Sequence, residues 1–359
     1  MPISAIDAIG PAFQHTKQQL LQPFRVTQWA KLALVGLLAG ELTSGGCNGG
    51  NFHMPSHSSN GRQFVDSGLP NIDPLVLVPL IGLLIVIGTI LWILFLYLSS
   101  VMRFVLFDSV IAKRCEIGTY WSRRHRAGLR YFAWQLLFLL AMVAGLTILV
   151  GIPAALAFAA GWFNNPRQHA VPLILCGILL FFVLMSFIVL SLVVHVLTKD
   201  FVIPKMALEN ISAIRGWQQL WPMLKSEKGS YAGYIGMKIV MALGTAVVVG
   251  IATVIAILIL LIPVGGFGVA AVLAGKTAGL TWNLYTITLA VVAGCIVLAI
   301  LLYVVSLISV PAIVFFPAYS IYFFASRYPA LDTFLHPLPP VTPQAPPPFL
   351  PPEAAPGLV

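Results

Sequence analysis

The densest group of residues able to bind a ligand is a run of four arginines in the first half of the chain. Guanidinium groups bind phosphate and carboxylate oxygens through pairs of parallel hydrogen bonds, which suits lipid headgroups and acidic protein surfaces. An excess of basic residues also orients a membrane protein, and this alternative explains the same arginines without a ligand. We predict a patch that binds anionic lipid or a protein partner, formed by Arg123, Arg124, Arg126 and Arg130.

A second group of residues offers ligands for a soft metal ion. Thiol, imidazole and thioether groups, which suit zinc or copper, occur close together at Cys47, His53, Met54 and His57. Their spacing matches no standard site, and the residues around them are those of a flexible polar loop. We therefore expect no metal site and no cofactor.

Motifs for catalysis are not found in this sequence. It contains no His-Glu-x-x-His, no Gly-x-Gly-Asp, no Gly-x-Ser-x-Gly and no Gly-x-x-x-x-Gly-Lys-Ser/Thr phosphate loop. Intramembrane chemistry needs polar groups at depth, yet the long apolar stretches of the chain contain no Asp, Glu or Arg. Lys238 and His195 lie near the ends of such stretches, where we expect both side chains at the membrane surface. We predict that the protein is not an enzyme and has no catalytic residue.

The apolar stretches themselves predict the fold. The chain is 59% hydrophobic and only 9% charged, which lies outside the range of soluble domains. Crossing a bilayer takes roughly 20 apolar residues of helix, and five stretches reach that length. The sequence therefore predicts an all-α, polytopic transmembrane bundle built on Pro74–Leu98, Phe132–Ala160, Pro172–Leu197, Ile239–Pro263 and Leu284–Val310.

The distribution of basic residues predicts the orientation. The net charge is +9, and alternate connections hold seventeen of the twenty Lys and Arg residues. The exceptions are Arg62, Arg167 and Lys276. This asymmetry is typical of the positive-inside rule in a prokaryotic cytoplasmic membrane, and we expect anionic lipids rather than nucleic acid as partners.

For all the basic connections to lie on one side of the membrane, the chain must cross once more before Pro74. The candidate is Val26–Leu42, a short apolar segment that contains Lys31 and Glu41. If it crosses, the protein has six spans and both termini are cytoplasmic. The alternative is a re-entrant or interfacial helix.

Two segments differ in composition from this membrane domain, which covers residues 1–335. Residues 43–73 are rich in Gly, Ser and Asn and predict an irregular external loop. Residues 336–359 are rich in proline, and we predict a disordered cytoplasmic tail that forms neither helix nor sheet.

Three segments before apolar hairpins share a pattern. Apolar and polar residues alternate with helical period in Ile6–Trp29, Phe104–Trp121 and Phe201–Leu224, and a Phe precedes a Trp at a similar distance in each. In the third segment, Trp217 and Trp221 fall on one side and Lys205 on another. We predict amphipathic helices at the membrane surface and three repeated units, each a surface helix followed by two spans.

Short motifs in these segments resemble a known group of membrane proteins. The motifs are Lys199-Asp200-Phe201-Val202-Ile203-Pro204-Lys205-Met206 followed by Trp217, Trp121 followed by Gly128-Leu129-Arg130-Tyr131-Phe132, and Pro23-Phe24 followed by Trp29. They resemble a poorly characterised group of prokaryotic multi-pass proteins, which is similar to the membrane domain preceding the catalytic domain of some glycerophosphodiester phosphodiesterases. The resemblance covers about Ile6–Tyr328 and implies no settled activity and no agreed functional residues. We expect no such catalytic domain in this sequence, because no soluble segment is long enough to form one.

These observations favour a non-enzymatic integral membrane protein that binds lipid or scaffolds a protein partner, because basic surface helices accompany uncharged spans. A permease-like component of a transport system is the alternative. Pro153 and residues 263–268 predict helix interruptions of the kind that line transporter cavities. An intramembrane enzyme is the class with least support.

Cysteine labelling tests the predicted orientation. After the four native cysteines are replaced, Ser56→Cys should react with a membrane-impermeant maleimide added outside intact cells. Ser122→Cys should react only after the membrane is opened, because it lies in a basic connection. The cysteine-free parent is the control, and labelling of S122C from outside would contradict the orientation.

Overall fold

The computed structural model describes residues 3–41, 74–162, 168–277 and 284–335, and in this part of the chain it contains ten α-helices and no strand. A π-helical turn, Thr198–Val202, joins α5 to α6. The predicted loop at 43–73 and tail at 336–359 lie outside the described residues. The helices are α1 (Ile9–Leu21), α2 (Val26–Ala39), α3 (Pro74–Ile111), α4 (Ile117–Ala159), α5 (Ala170–Leu197), α6 (Ile203–Glu209), α7 (Ala213–Ser226), α8 (Lys228–Thr277), α9 (Leu284–Ala325) and α10 (Pro329–Leu335).

Five of these helices are longer than a bilayer is thick. Helices α3, α4, α8 and α9 have 38 to 50 residues, or about 57 to 75 Å, against about 30 Å of hydrocarbon. Helix α5 continues through the π-helical turn and α6, so the continuous helical segment that could cross a membrane is 40 residues long. Each long helix therefore has one part that can lie in lipid and another that extends beyond it.

The outer part of each long helix exposes large apolar side chains. Examples are Phe158 in α4 at 75% exposure, Leu190 in α5 at 63% and Val248 in α8 at 69%. Such surfaces are stable in hydrocarbon and not in water. Five helices among the described residues are long and apolar enough to cross a membrane, so the predicted all-α membrane bundle is confirmed.

The other ends of the same helices pack into a single core together with the short helices. We call this part the packed end; it comprises residues 3–41, 96–134, 193–238 and 303–335. Its centre contains fully buried aromatic residues from four long helices and the π-helical turn, including Phe104, Tyr131, Phe201, Tyr234 and Phe323. The chain reaches the packed end at the C-terminus of α3, α5 and α9 and leaves it at the N-terminus of α4 and α8, which is the alternation expected of membrane hairpins.

Helix α2 belongs to the packed end and is shorter than the roughly 30 Å of hydrocarbon in a bilayer. Its 14 residues span about 21 Å. Near its start the Gln28 side chain donates to the Lys113 carbonyl, and at its end the Ala39 carbonyl accepts from Arg103. Helix α2 therefore covers only about ten residues of α3. The choice between a crossing and an interfacial helix for this segment stays a prediction.

The predicted surface helix Phe201–Leu224 is wrong as a single element. The left-handed residue Asn210 (φ 55°) separates α6 from α7. Lys205, placed by the pattern on a polar face, is 3% exposed, whereas Trp221 is 55% exposed. The reason is that α6 continues α5 into the core and is surrounded on all sides. The segment Phe104–Trp121 is likewise divided, by a turn between α3 and α4.

The helix interruptions predicted at two prolines are also wrong. Helix α4 continues through Pro153, and α8 continues through Pro263 to Thr277. In lipid there is no water to hydrogen-bond the backbone groups that a helix break would leave unpaired. A helix that continues through the proline is therefore more stable than an interrupted one. The motive for a permease that rested on helix breaks is therefore lost.

The three predicted repeats share a helix–turn–helix arrangement in the structure. The helix pairs are α1–α2, α3–α4 and α6–α7. The equivalent phenylalanines differ in burial, because Phe104 and Phe201 are fully buried while Phe13 is 63% exposed.

A buried histidine, His15, is expected to make the stability of the packed end depend on pH. The neutral ring of His15 in α1 donates from Nε2 to the Val110 carbonyl (2.8 Å) and accepts at Nδ1 from the Tyr322 hydroxyl (3.2 Å). Burial lowers the pKa of His15; the bond to Val110 opposes this shift and the charge of Lys113 adds to it. The unfolded chain therefore binds the proton first as pH falls, so stability present above about pH 6.5 is lost as pH decreases through the lowered pKa.

We expect the apparent Tm of the wild type in detergent micelles to fall more between neutral pH and pH 5 than that of His15→Gln, whose amide can still donate to Val110. Thermal unfolding followed by circular dichroism measures both. Parallel pH profiles would show that His15 is not the titrating group.

Candidate functional site

Two of the four arginines predicted to bind a ligand instead connect helices within the packed end. Arg124 forms a bidentate pair with Asp108 of α3, from Nε at 2.7 Å and from Nη2 at 2.8 Å, and also donates to the Ala207 carbonyl of α6. Arg130 donates to both the carbonyl (2.5 Å) and the side-chain oxygen (3.1 Å) of Asn210. These bonds tie α4 to the turn between α6 and α7.

The other two arginines face outwards. Arg123 and Arg126 are exposed, and neither forms an ion pair or side-chain hydrogen bond with a described residue. The predicted patch therefore divides into two structural residues and two that can reach a ligand. Its role in binding stays a prediction.

A group of charged residues that the sequence patterns did not bring together lies inside the packed end. It consists of Glu41 after α2, Arg103 in α3, Lys199 and Asp200 in the π-helical turn, and Lys238 in α8. These residues line one cavity, which we call the charged cleft. Four separate parts of the chain contribute to it.

Two ion pairs cross the charged cleft. Lys199 pairs with Glu41, and Lys238 pairs with Asp200. The Asp200 carboxylate also accepts a hydrogen bond from the Tyr234 hydroxyl at 3.0 Å. Both carboxylate side chains are only 3% exposed, so each pair joins helices in surroundings where an unpaired charge would be costly.

The third cation of the cleft has only neutral hydrogen-bond acceptors among the described residues. Arg103 donates from Nε to the Ala39 carbonyl at 3.1 Å and from Nη1 to the Tyr131 hydroxyl at 2.7 Å. The Ala39 carbonyl lies at the C-terminus of α2, where the helix dipole favours a cation. Arg103 therefore caps α2 as well as lining the cleft.

The π-helical turn explains how consecutive residues reach different partners. In Thr198–Val202, Lys199 contacts Glu41 while Asp200 contacts Lys238. The Trp217 indole donates to the Thr198 hydroxyl at 3.0 Å and ties this turn to α7. Single π-helical turns within α-helices are frequent at functional sites.

The cleft is small and partly apolar. Its cavity volume is about 30 Å³, enough for one or two water molecules. The surrounding space, including the part that opens to the outside, is about 430 Å³. The remaining wall consists mainly of apolar residues: Leu106, Phe107, Ile203, Pro204, Phe316, Pro317, Ser320 and Ile321.

The cleft lies close to the boundary of the lipid-facing surface. The continuous exposed apolar stretch of α3 ends at Phe95, eight residues before Arg103, and in α8 the exposed Ile239 follows Lys238 directly. Eight helical residues correspond to about 12 Å. The charges are therefore near the level at which lipid headgroups replace hydrocarbon.

The Lys238 side chain does not extend freely outwards. Its ammonium group is turned into the packed end, because Asp200 of another helix offers a buried carboxylate. Periodicity within one segment cannot show such a partner. The usable signal was Glu41, an acidic residue just after the apolar run of α2, which is comparable to Asp200 just after that of α5.

Metal binding has no support in the described part of the chain. No three His, Cys, Asp or Glu side chains there lie close enough together to hold an ion. The residues Cys47 to His57 fall outside it.

Breaking one ion pair tests the structural role of the cleft. We expect Lys238→Met to lower the free energy of unfolding by about 3–5 kcal/mol, because the Asp200 carboxylate stays buried without its cation. The double variant Asp200→Asn/Lys238→Met should lose less than the sum of its single changes. Denaturant unfolding in detergent micelles measures this.

The matched control is Arg123→Gln, which removes an exposed cation and should change stability by no more than about 0.5 kcal/mol. Equal stability of K238M and R123Q would contradict the ion pair.

Comparisons with known proteins identify a family and no activity. No curated protein and no solved structure matches the chain. The matching family model is described only as a family of unknown function, so the resemblance to the membrane domain of glycerophosphodiester phosphodiesterases stays a prediction. Since the model covers residues 3–334, nearly the whole sequence, the chain belongs to the family of unknown function DUF7544.

Proposed function

We propose that this protein is a non-enzymatic integral membrane protein whose packed end binds anionic lipid headgroups on the cytoplasmic side of a prokaryotic membrane. The supporting observation is the charge of the packed end, which carries seventeen basic and eight acidic residues. At the opposite ends of the long helices, Lys276 is the single charged residue within the described segments. Anionic lipids of the cytoplasmic leaflet attract such a surface.

The positions of the described chain ends support the proposed topology. The Ile3 carbonyl accepts a hydrogen bond from Arg327 at 3.2 Å, and the Ala5 carbonyl accepts one from Tyr319 at 3.0 Å. Both ends of the described chain therefore lie at the packed end. By the positive-inside rule this end faces the cytoplasm.

Helix α7 offers a surface suited to the headgroup region. It buries Ala213, Gly216 and Leu220 against the core and exposes Trp221 and Lys225, whose ammonium lies 5.6 Å from the indole ring centre. Tryptophan prefers the level of the headgroups, and lysine beside it favours anionic lipid. The arginines Arg123 and Arg126 add two exposed cations on α4.

Scaffolding of a protein partner is the other form of this proposal, since the same arginines suit an acidic protein surface. A permease-like component is the second candidate, and the charged cleft among the long helices is the observation that favours it. Solute flux into proteoliposomes, measured with and without the protein, separates transport from lipid binding.

Removing the two exposed arginines tests the lipid proposal. Each basic residue near the surface contributes about 1 kcal/mol, so Arg123→Gln/Arg126→Gln should weaken phosphatidylglycerol binding by about 2 kcal/mol, or roughly 30-fold. Native mass spectrometry of protein titrated with this lipid in maltoside micelles gives the affinity. The loss should shrink at high salt, because exposed charges are screened.

Two control variants accompany this test. Arg123→Lys/Arg126→Lys keeps both charges and should retain most of the binding, and Lys276→Gln removes a cation from the opposite end and should have no effect. Unchanged lipid affinity in the double glutamine variant would refute the role of these arginines.

A further inference from the structure

We propose that the charged cleft binds a single phosphate-type anion, either free phosphate or the phosphate of a lipid headgroup. This site is separate from the exposed arginines of α4, and the inference does not depend on the proposed surface binding. It follows from the charge, the hydrogen-bond donors and the position of the cleft.

The first step is the charge of the cleft. Arg103, Lys199 and Lys238 bring three positive charges to its lining, and Glu41 and Asp200 bring two negative charges. Because both carboxylates already pair with lysines, one positive charge has no ionic partner among the described residues. An excess charge in partly buried surroundings is stabilised by a counter-ion, which here must be an anion.

The second step is the arrangement of donors. The guanidinium group of Arg103 has five N–H donors, and its bonds to Ala39 and Tyr131 use Nε and Nη1. Its Nη2 group has no acceptor within the described chain. A tetrahedral phosphate accepts hydrogen bonds from several directions, and arginine is the side chain best suited to it.

The third step is the access of a ligand to the charged cleft. The Lys199 and Lys238 side chains are 14% and 11% exposed, so both border the opening of the cleft. The inner cavity of about 30 Å³ is large enough for one or two water molecules, and a phosphate enters by taking this space and moving the two flexible lysine side chains. Apolar walls such as Phe316 and Ile321 suit the glycerol and chain ends of a lipid.

The test uses the full chain in maltoside micelles, a detergent without phosphate. One arm titrates inorganic phosphate and follows heat by isothermal calorimetry. The other titrates short-chain phosphatidic acid and counts bound lipid by native mass spectrometry. Binding in the first arm identifies a soluble anion as ligand, and binding only in the second identifies a lipid; both support the site. Binding in neither arm overturns it.

Variants then place the ligand in the cleft. Arg103→Gln should weaken binding at least tenfold, while Lys276→Gln, which removes a cation from the opposite ends of the long helices, should leave this affinity unchanged. Glu41→Gln raises the charge of the cleft by one, and we expect tighter binding by several-fold, a gain that misfolding cannot produce. An R103Q variant that binds as the wild type does, or an E41Q variant that binds no more tightly, overturns the proposal.

The outcome is distinguishable from that of surface binding. Arg123→Gln/Arg126→Gln should lose phosphatidylglycerol at the surface and keep phosphate in the cleft, and R103Q should show the opposite. Cleft binding should also resist added salt better, because partly buried charges are screened less than exposed ones.

Discussion

The ion pair between Lys238 and Asp200 joins α8 to the turn after α5, close to the level at which lipid-facing side chains give way to a packed core. A second pair, Lys199 with Glu41, joins the same turn to the end of α2. Charges in apolar surroundings are tolerated only with partners. The elements that carry them, which are the end of α2, the turn after α5 and α8, must therefore meet at one level near this boundary.

Packing is correspondingly uneven along the helices. At the packed end, close approach depends on small residues: a side chain on Gly128 would lie 3.0 Å from the backbone of Val101, and one on Gly36 would overlap Ile313. Aromatic rings fill the space beyond, with Tyr234 and Phe323 at 4.6 Å between centres. In the lipid-facing parts most large apolar side chains are exposed, because hydrocarbon solvates them as well as another helix does; a close contact there is that of Gly145 in α4 with the Phe187 ring in α5. Stability against unfolding is concentrated where the helices leave the bilayer.

This unevenness explains what could be predicted from sequence. The long apolar stretches predict the five spans, because hydrophobicity and length act along one helix and need no knowledge of neighbours. In the packed end, by contrast, the place of a side chain depends on its neighbours from other parts of the chain. The sequence pattern places Lys205 on a polar face, yet its side chain is buried and its ammonium lies over the Phe324 and Tyr328 rings. Arg124, predicted to bind a ligand, forms an ion pair with Asp108 instead. Such placements arise from contacts between residues far apart in the chain, which periodicity within a segment does not contain.

The charged cleft combines stability with the capacity to bind. Its excess cation, Arg103, lies at the C-terminus of α2, where the helix dipole is equivalent to roughly half a negative charge. The Ala39 carbonyl thus offsets part of the arginine charge, which lets the cleft persist without a ligand. The part that remains is directed at a cavity bordered by two lysines. A fully neutral cleft would have no attraction for an anion, and a cleft with three unpaired cations would not hold its helices together; the observed balance satisfies both conditions.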